Sequence, residues 1–245
     1  MKKIQSLSRG LTVLELLSQS DQGLGVTELS KCIEVDKSSI TRMLHTLVEH
    51  DFAMKDPNSR RYLLGPKVQE LVKSSTNNLP LREQSLPILR ELVDKTGENA
   101  HVAIYSQEHA LVIADVESKA QLRVVSGEGR LIPNHCTAIG KCLIAFDDYP
   151  ISKELPSFTP RTITSRDQLR LHLEQIRQRG YAVDDEEHEF GVRCIAVPVY
   201  DGTGRAVASM GISGPTVRVT LAKVEEYAQV IIESARELSI TLGGT

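Results

Sequence analysis

Reactive side chains gather in two stretches of this chain. Asp184-Asp185-Glu186-Glu187-His188-Glu189 packs five acids into six residues and runs into Gly191-Val192-Arg193-Cys194, where a cysteine opens an apolar strand-like run. Pro133-Asn134-His135-Cys136-Thr137-Ala138-Ile139-Gly140-Lys141 sets a histidine and a thiol just before a helix start. On paper His135 with Cys136 or Cys194 makes a Cys–His nucleophile, and His101, His135 and Cys194 make a metal site. A thiol nucleophile also needs its base and an oxyanion hole brought together, which spacing does not supply. A thiol-based enzyme or redox sensor is therefore the alternative reading; binding is the main one, with no catalytic residue, metal or cofactor.

Binding has a physical basis in the same residues. With Thr137 as a cap, the backbone N–H groups of Ala138, Ile139 and Gly140 point outward from a helix N-terminus, which suits a carboxylate. The other reading is that Ala138 and Gly140 are merely small for close helix packing. Ser209, Gly211 and Ser213, spaced by two, share one strand face, and a Gly/Ser face leaves room for a ligand or for a packed helix. Most of the acid run is expected to be a solvated loop.

Near the other end, residues 24–64 read as a short helix (Thr27 to Ile33), a tight turn, a helix opening at Asp36 and a basic hairpin from Lys55 to Tyr62, a winged helix-turn-helix. Thr27 and Asp36 are good N-cap types. Leu29 and Ile33, then Ile40, Met43, Leu44 and Leu47, recur at helical spacing and define the buried side. Ser38, Thr41, Arg42 and His45 fall opposite that stripe, free to enter a major groove. With Ser39 beside them, and Arg60 and Arg61 in the wing as phosphate grips, they form the candidate DNA-binding set.

The elements that position these residues follow from periodicity. Leu7, Leu11, Leu14 and Leu17 mark an amphipathic first helix. Leu63 to Ser75 reads as a helix, broken by Ser74-Ser75-Thr76-Asn77-Asn78-Leu79-Pro80. A helix from Leu81 to Lys95 ends at Gly97 in the C-cap position. Runs of β type follow at Ala100–Tyr105, Ala110–Val116 and Gln121–Ser126, and again at Cys194–Tyr200 and Ala206–Ile212 around the turn Asp201-Gly202-Thr203-Gly204. Between these groups lies a helix with a Ser165/Gln168 capping box, closed by Gly180. A last helix carries Val224, Tyr227, Ile231, Ala235, Leu238 and Leu242 on one stripe. Such an order indicates an α+β domain on an antiparallel sheet.

Composition narrows the function classes. At 245 residues two domains are expected. The formal charge of -3 argues against a protein that coats nucleic acid non-specifically. Residues 1–75 hold 11 Lys and Arg against 9 Asp and Glu, a small basic excess on the helix-turn-helix side. Affinity for DNA must then come from a few placed contacts and from presenting more than one copy of the module. Cys32, Cys136, Cys142 and Cys194 show no CxxC spacing, which suits reduced thiols. The start has no signal-peptide core and no stretch is apolar enough to span a membrane, so a cytoplasmic protein is expected.

The helix-turn-helix, the loop His135 to Lys141, the run Asp184 to Val199, the closing Ile212-Ser213-Gly214-Pro215 and Arg218 occur in one order, and with them the chain resembles IclR-type transcriptional regulators over nearly its whole length. The resemblance implies a winged helix-turn-helix domain (1–66), a linker helix (67–80) and a GAF-like effector-binding domain (81–245). It also implies a homodimer or homotetramer on operator DNA, acting as a repressor tuned by a small carboxylate effector, an organic or sugar acid of carbon catabolism. In a member that responds to glyoxylate and pyruvate, ligand contacts fall at positions matching Ala138, Ile139, Asp184, Cys194, Gly211 and Ser213; Gly140 completes the expected effector-binding set. That member has Gly then Ala where this chain has Ala138 and Ile139, and Ser where it has Gly211. The carboxylate end is thereby kept, and the far end is reshaped toward a longer acid.

Overall fold

A computed structural model describes residues 4–20, 22–57, 59–68, 79–124, 127–147 and 149–244. The chain divides into two units, residues 1–77 and 78–245.

In the first unit, helices α1 (Gln5–Ser18), α2 (Val26–Ile33) and α3 (Lys37–Glu49) precede an antiparallel hairpin of β1 (Ala53–Lys55) and β2 (Tyr62–Leu64). Asp36 caps α3, its carboxylate accepting the Ser39 N–H at 2.9 Å. The turn between α2 and α3 passes through Glu34 at φ 57°. Thr27 is not the cap of α2: the helix starts after Gly25, whose N–H donates to Glu28 at 2.7 Å. Val13, Leu17, Leu29, Ile40, Leu44, Ala53 and Tyr62 form the core. The expected stripe of α1 is corrected as well, because Val13 and Leu17 are the buried positions while Leu7 and Leu11 are 59% and 52% exposed. Leu63 and Leu64 belong to β2, and helix resumes only at 66–68. The rest of that helix, and most of the linker helix expected over 67–80, lies outside the described residues.

The second unit is a six-stranded antiparallel sheet between two helical layers. Its strands are β3 (Asn99–Ser106), β4 (His109–Val116), β5 (Leu131–Pro133), β6 (Ala182–Asp185), β7 (Val192–Tyr200) and β8 (Ala206–Pro215), in the order β5-β4-β3-β8-β7-β6. Helices α4 (Leu79–Thr96) and α7 (Val224–Thr241) cover one face through Leu89, Leu92, Ile231 and Leu238 against Ile195, Val197, Met210 and Ile212. Helices α5 (Ala138–Phe146) and α6 (Arg166–Arg179) cover the other through Ile139, Leu143, Leu173 and Ile176 against Ala103, Ala182 and Ala196. Neighbouring residues of β7 thus feed two different cores, Ile195 and Val197 one and Ala196 the other.

Three expectations are corrected here. Residues 121–124 form no strand, though Leu122 and Val124 alternate as a strand would; their carbonyls instead accept hydrogen bonds from the Arg218 and Asn99 side chains. Residues 125–126 are outside the described set. Ser165 makes no side-chain cap on α6, so the capping box is absent. The short edge strands β5 and β6, three and four residues long, were not foreseen because segments that short carry too little alternation. No helix among the described residues is long and apolar enough to cross a membrane.

Candidate functional site

On α3, Ser38, Thr41, Arg42 and His45 are exposed together and Ser39 is half-buried behind them. The Asp36 cap sets this face, since Ser38 also donates to its carboxylate and Arg42 reaches Ser39 Oγ at 3.3 Å. Hydrogen bonds from Ser38 and from the Ser39 backbone hold the Asp36 carboxyl well below the usual range. The wing arginines differ from expectation. Arg60 is exposed at the hairpin turn with φ 57°. Arg61 folds back, its Nη2 on both Glu28 oxygens at 2.7 and 2.8 Å and its Nε donating to Gly23 O at 3.0 Å. A guanidinium held in this way anchors the wing to the start of α2 and is not a free phosphate grip.

The second unit holds a cavity of about 90 Å³ between the sheet and the start of α5. Of the expected effector set, Ala138, Ile139, Asp184, Cys194 and Ser213 line it together. Strand register accounts for three of these: Asp184 pairs with Cys194 and Cys194 with Ser213, a row on the sheet face toward α5. Thr137 Oγ1 accepts the Gly140 N–H at 3.2 Å, so the outward-facing donors of the first turn reduce to Ala138 and Ile139. Gly140 and Gly211 do not line the cavity. A Cβ on Gly140 would sit 2.4 Å from the Asn134 Cα, and one on Gly211 2.5 Å from the Ile195 carbonyl oxygen. Both are glycines because backbone passes close by, and the space expected at Gly211 for a longer acid does not exist.

The acid run is not a solvated loop throughout. Asp184 and Glu187 are only 2% and 6% exposed. Asp184 accepts the N–H groups of Glu187 at 2.8 Å and His188 at 3.4 Å. Burial, with Glu187 nearby and only partly offset by Lys141, pushes its carboxyl up to about 7. Lys141, fully buried, carries the counter-charge: its Nζ donates to Glu187 Oε1 and, at 2.6 Å, to Val183 O, with His172 Nε2 at 3.4 Å. Desolvation still raises the Glu187 carboxyl against the pull of that ammonium. Burial first, then Lys141, lowers His172 to about 4, so it faces the lysine uncharged.

The family model of the IclR helix-turn-helix domain matches residues 6–57, and that of the bacterial transcriptional regulator IclR C-terminal domain matches residues 73–240. The chain belongs to the IclR family. It is similar to the HTH-type transcriptional regulator XynR of Escherichia coli K12, 34% identical over 249 residues that cover 99% of each chain. The HTH-type transcriptional repressor AllR of the same organism is 31% identical over 252 residues, 99% of this chain and 92% of its own. The crystal structure of Thermotoga maritima IclR superposes with a TM-score of 0.80 at 31% identity, over 98% of this chain and 100% of that one. This IclR-family chain is accordingly a DNA-binding transcriptional regulator of helix-turn-helix type.

As for thiol chemistry in this IclR-family protein, His135 gives its Nε2 to the Pro156 carbonyl at 2.9 Å and lies against Phe158. Burial, reinforced by Asp184 and Glu187, pushes the Cys136 thiol up to about 12, and burial does the same to Cys142. Cys194 is raised well above its ordinary value by burial and then by Asp184. None is a ready thiolate. Among the described residues no group of three His, Cys, Asp or Glu could hold a metal. Native-state titration with a disulfide reagent should therefore count one fast thiol, the exposed Cys32; the buried Cys136 and Cys142 react only on unfolding, and the half-buried Cys194 reacts slowly. A second fast thiol in the folded protein would restore the redox reading.

Lys141, Glu187, Arg130 and His188 were missed as site residues, and His101 entered only as a candidate metal ligand. The first two looked like ordinary surface charges, and only their burial shows otherwise. His101, Arg130 and His188 line the cavity from separate strands and loops, and nothing local in the sequence shows that they meet there.

Proposed function

We propose that this regulator is a repressor controlled by a small carboxylate, with a DNA-binding domain at 1–66, a linker helix at 67–80 and an effector domain at 81–245. The observation that carries the reading is the cavity itself, where free N–H donors of a helix N-terminus face a row of polar side chains inside an otherwise apolar wall. The effector's carboxylate sits on the N–H groups of Ala138 and Ile139, and Asp184 accepts from a ligand hydroxyl. The protein works in the cytoplasm and has no catalytic role. It acts as a homodimer or homotetramer; Leu7 and Leu11, exposed along one side of α1, with Ile4 just before it, suit burial against a second copy. An effector that prefers one arrangement of that assembly by about 1–3 kcal/mol changes operator occupancy about 5–150-fold.

Ser38, Thr41, Arg42 and His45 read the major groove, with Ser39 supporting Arg42, and Arg60 grips phosphate. Arg42→Ala should cost about 1–3 kcal/mol of operator affinity, whereas Arg60→Ala should weaken all sequences alike and lower the salt slope by about 1. Mobility shifts on the protein's own upstream DNA, with and without a panel of keto, hydroxy and sugar acids, measure both effects. Wild-type binding by the two variants would remove α3 and the wing from the interface, and indifference to every acid would remove effector control.

A further inference from the structure

Two polar atoms in the cavity have no hydrogen-bond partner among the described residues: His101 Nδ1 and Ser213 Oγ. Their residues are 6% and 3% exposed, and both line the cavity. Burying a polar atom unpaired is costly, so such atoms in a ligand-sized space mark where ligand atoms belong. The two come from neighbouring strands. His101 on β3 pairs with Gly211 on β8, and Asn99 pairs with Ser213, so His101 and Ser213 are diagonal neighbours on one sheet face. Residues so placed lie roughly 7–8 Å apart, with their Cβ atoms somewhat closer, near enough for one ligand oxygen to lie between imidazole and hydroxyl.

Resting on the reading of this cavity as an effector site, we propose that His101 and Ser213 form a second recognition point that binds a hydroxyl group of the effector and so selects hydroxylated monocarboxylates. The chemistry favours a hydroxyl over a second carboxylate. Burial lowers His101 to about 4, so it is a neutral imidazole with one donor and one acceptor nitrogen. Ser213 both donates and accepts. A hydroxyl satisfies the pair by donating to one and accepting from the other. A second carboxylate would meet no positive charge at these two atoms, and the Arg130 guanidinium in the lining is matched there by the Glu189 carboxylate.

The test is calorimetric titration of the full-length protein with propionate, lactate, 3-hydroxypropionate, glycerate, gluconate and succinate. Wild type should bind at least one hydroxy acid about tenfold or more tightly than propionate and than succinate. His101→Leu and Ser213→Ala should each shrink that ratio to about twofold or less, leave propionate binding unchanged, and leave the melting temperature of the ligand-free protein unchanged or higher, since each removes a polar atom that had no partner. His101→Gln should keep part of the preference. A hydroxyl preference that survives both His101→Leu and Ser213→Ala overturns the proposal while leaving the cavity as the effector site. So does tighter binding of succinate than of any hydroxy acid. If no acid binds wild type, or if binding survives Ile139→Trp, which fills the cavity, the effector-site reading fails and the proposal with it.

Discussion

Lys141→Met should lower the stability of the second unit by about 3–5 kcal/mol, because it leaves the Glu187 carboxylate buried without a counter-charge. Glu187 Oε2 already has no hydrogen-bond partner among the described residues, so the lost ammonium cannot be replaced from nearby. The double variant Lys141→Met, Glu187→Leu should recover most of the loss, since well-packed apolar residues replace a buried pair at little net cost. Urea unfolding midpoints of the two singles and the double measure the coupling. If the double is no better than Lys141→Met alone, the lysine acts through something other than Glu187. The pair matters for function because Lys141 belongs to the first turns of α5 and Glu187 to the loop after β6. Neighbouring residues of both segments, Ala138 and Ile139 in one and Asp184, His188 and Glu189 in the other, line the cavity.

Asp184→Asn is expected to stabilise the protein at pH 8 and to change little near pH 4. In the folded state the carboxyl titrates near 7, whereas in an unfolded chain it does so near 3.9. Between these values the folded state holds a proton that the unfolded chain has released, so stability falls as pH rises from about 4 to about 7 and is level above that. About three pKa units correspond to roughly 4 kcal/mol, the upper limit of the gain for a neutral amide at pH 8. Asparagine keeps an acceptor for the N–H groups of Glu187 and His188, so the loop geometry is retained. Thermal unfolding of variant and wild type at pH 4.5 and pH 8 gives the comparison. An equal difference at both pH values would mean that Asp184 is not held protonated by the fold. The Glu187 carboxyl, raised by the same burial, adds its own fall in both proteins.

How far the sequence reaches is clear from particular residues. Helix periodicity, the Asp36 cap and the turn formers around Lys55 to Tyr62 are local signals, and they located the winged helix-turn-helix and its exposed face on α3 to within a residue or two. The long strands β3, β4, β7 and β8 were legible for the same reason. Leu122 and Val124 alternate like a strand and are not one, because the Asn99 and Arg218 side chains occupy their carbonyls. Which arginine of the wing stays free also depends on tertiary structure, as Arg61 is claimed by Glu28 from a helix 33 residues earlier in the chain. The cavity shows the division most sharply. Thr137, Ala138 and Ile139 announce a helix N-terminus from sequence alone, but their placement opposite Asp184, Cys194 and Ser213 comes from strand register. Register likewise turns His101 into the same space and makes Gly211 a point of close strand contact. Sequence dictates which groups a residue carries and the local backbone it favours; burial, which drew Asp184 and Glu187 out of a surface-like acid run and set Lys141 against them beside the cavity, depends on what distant segments bring to cover them.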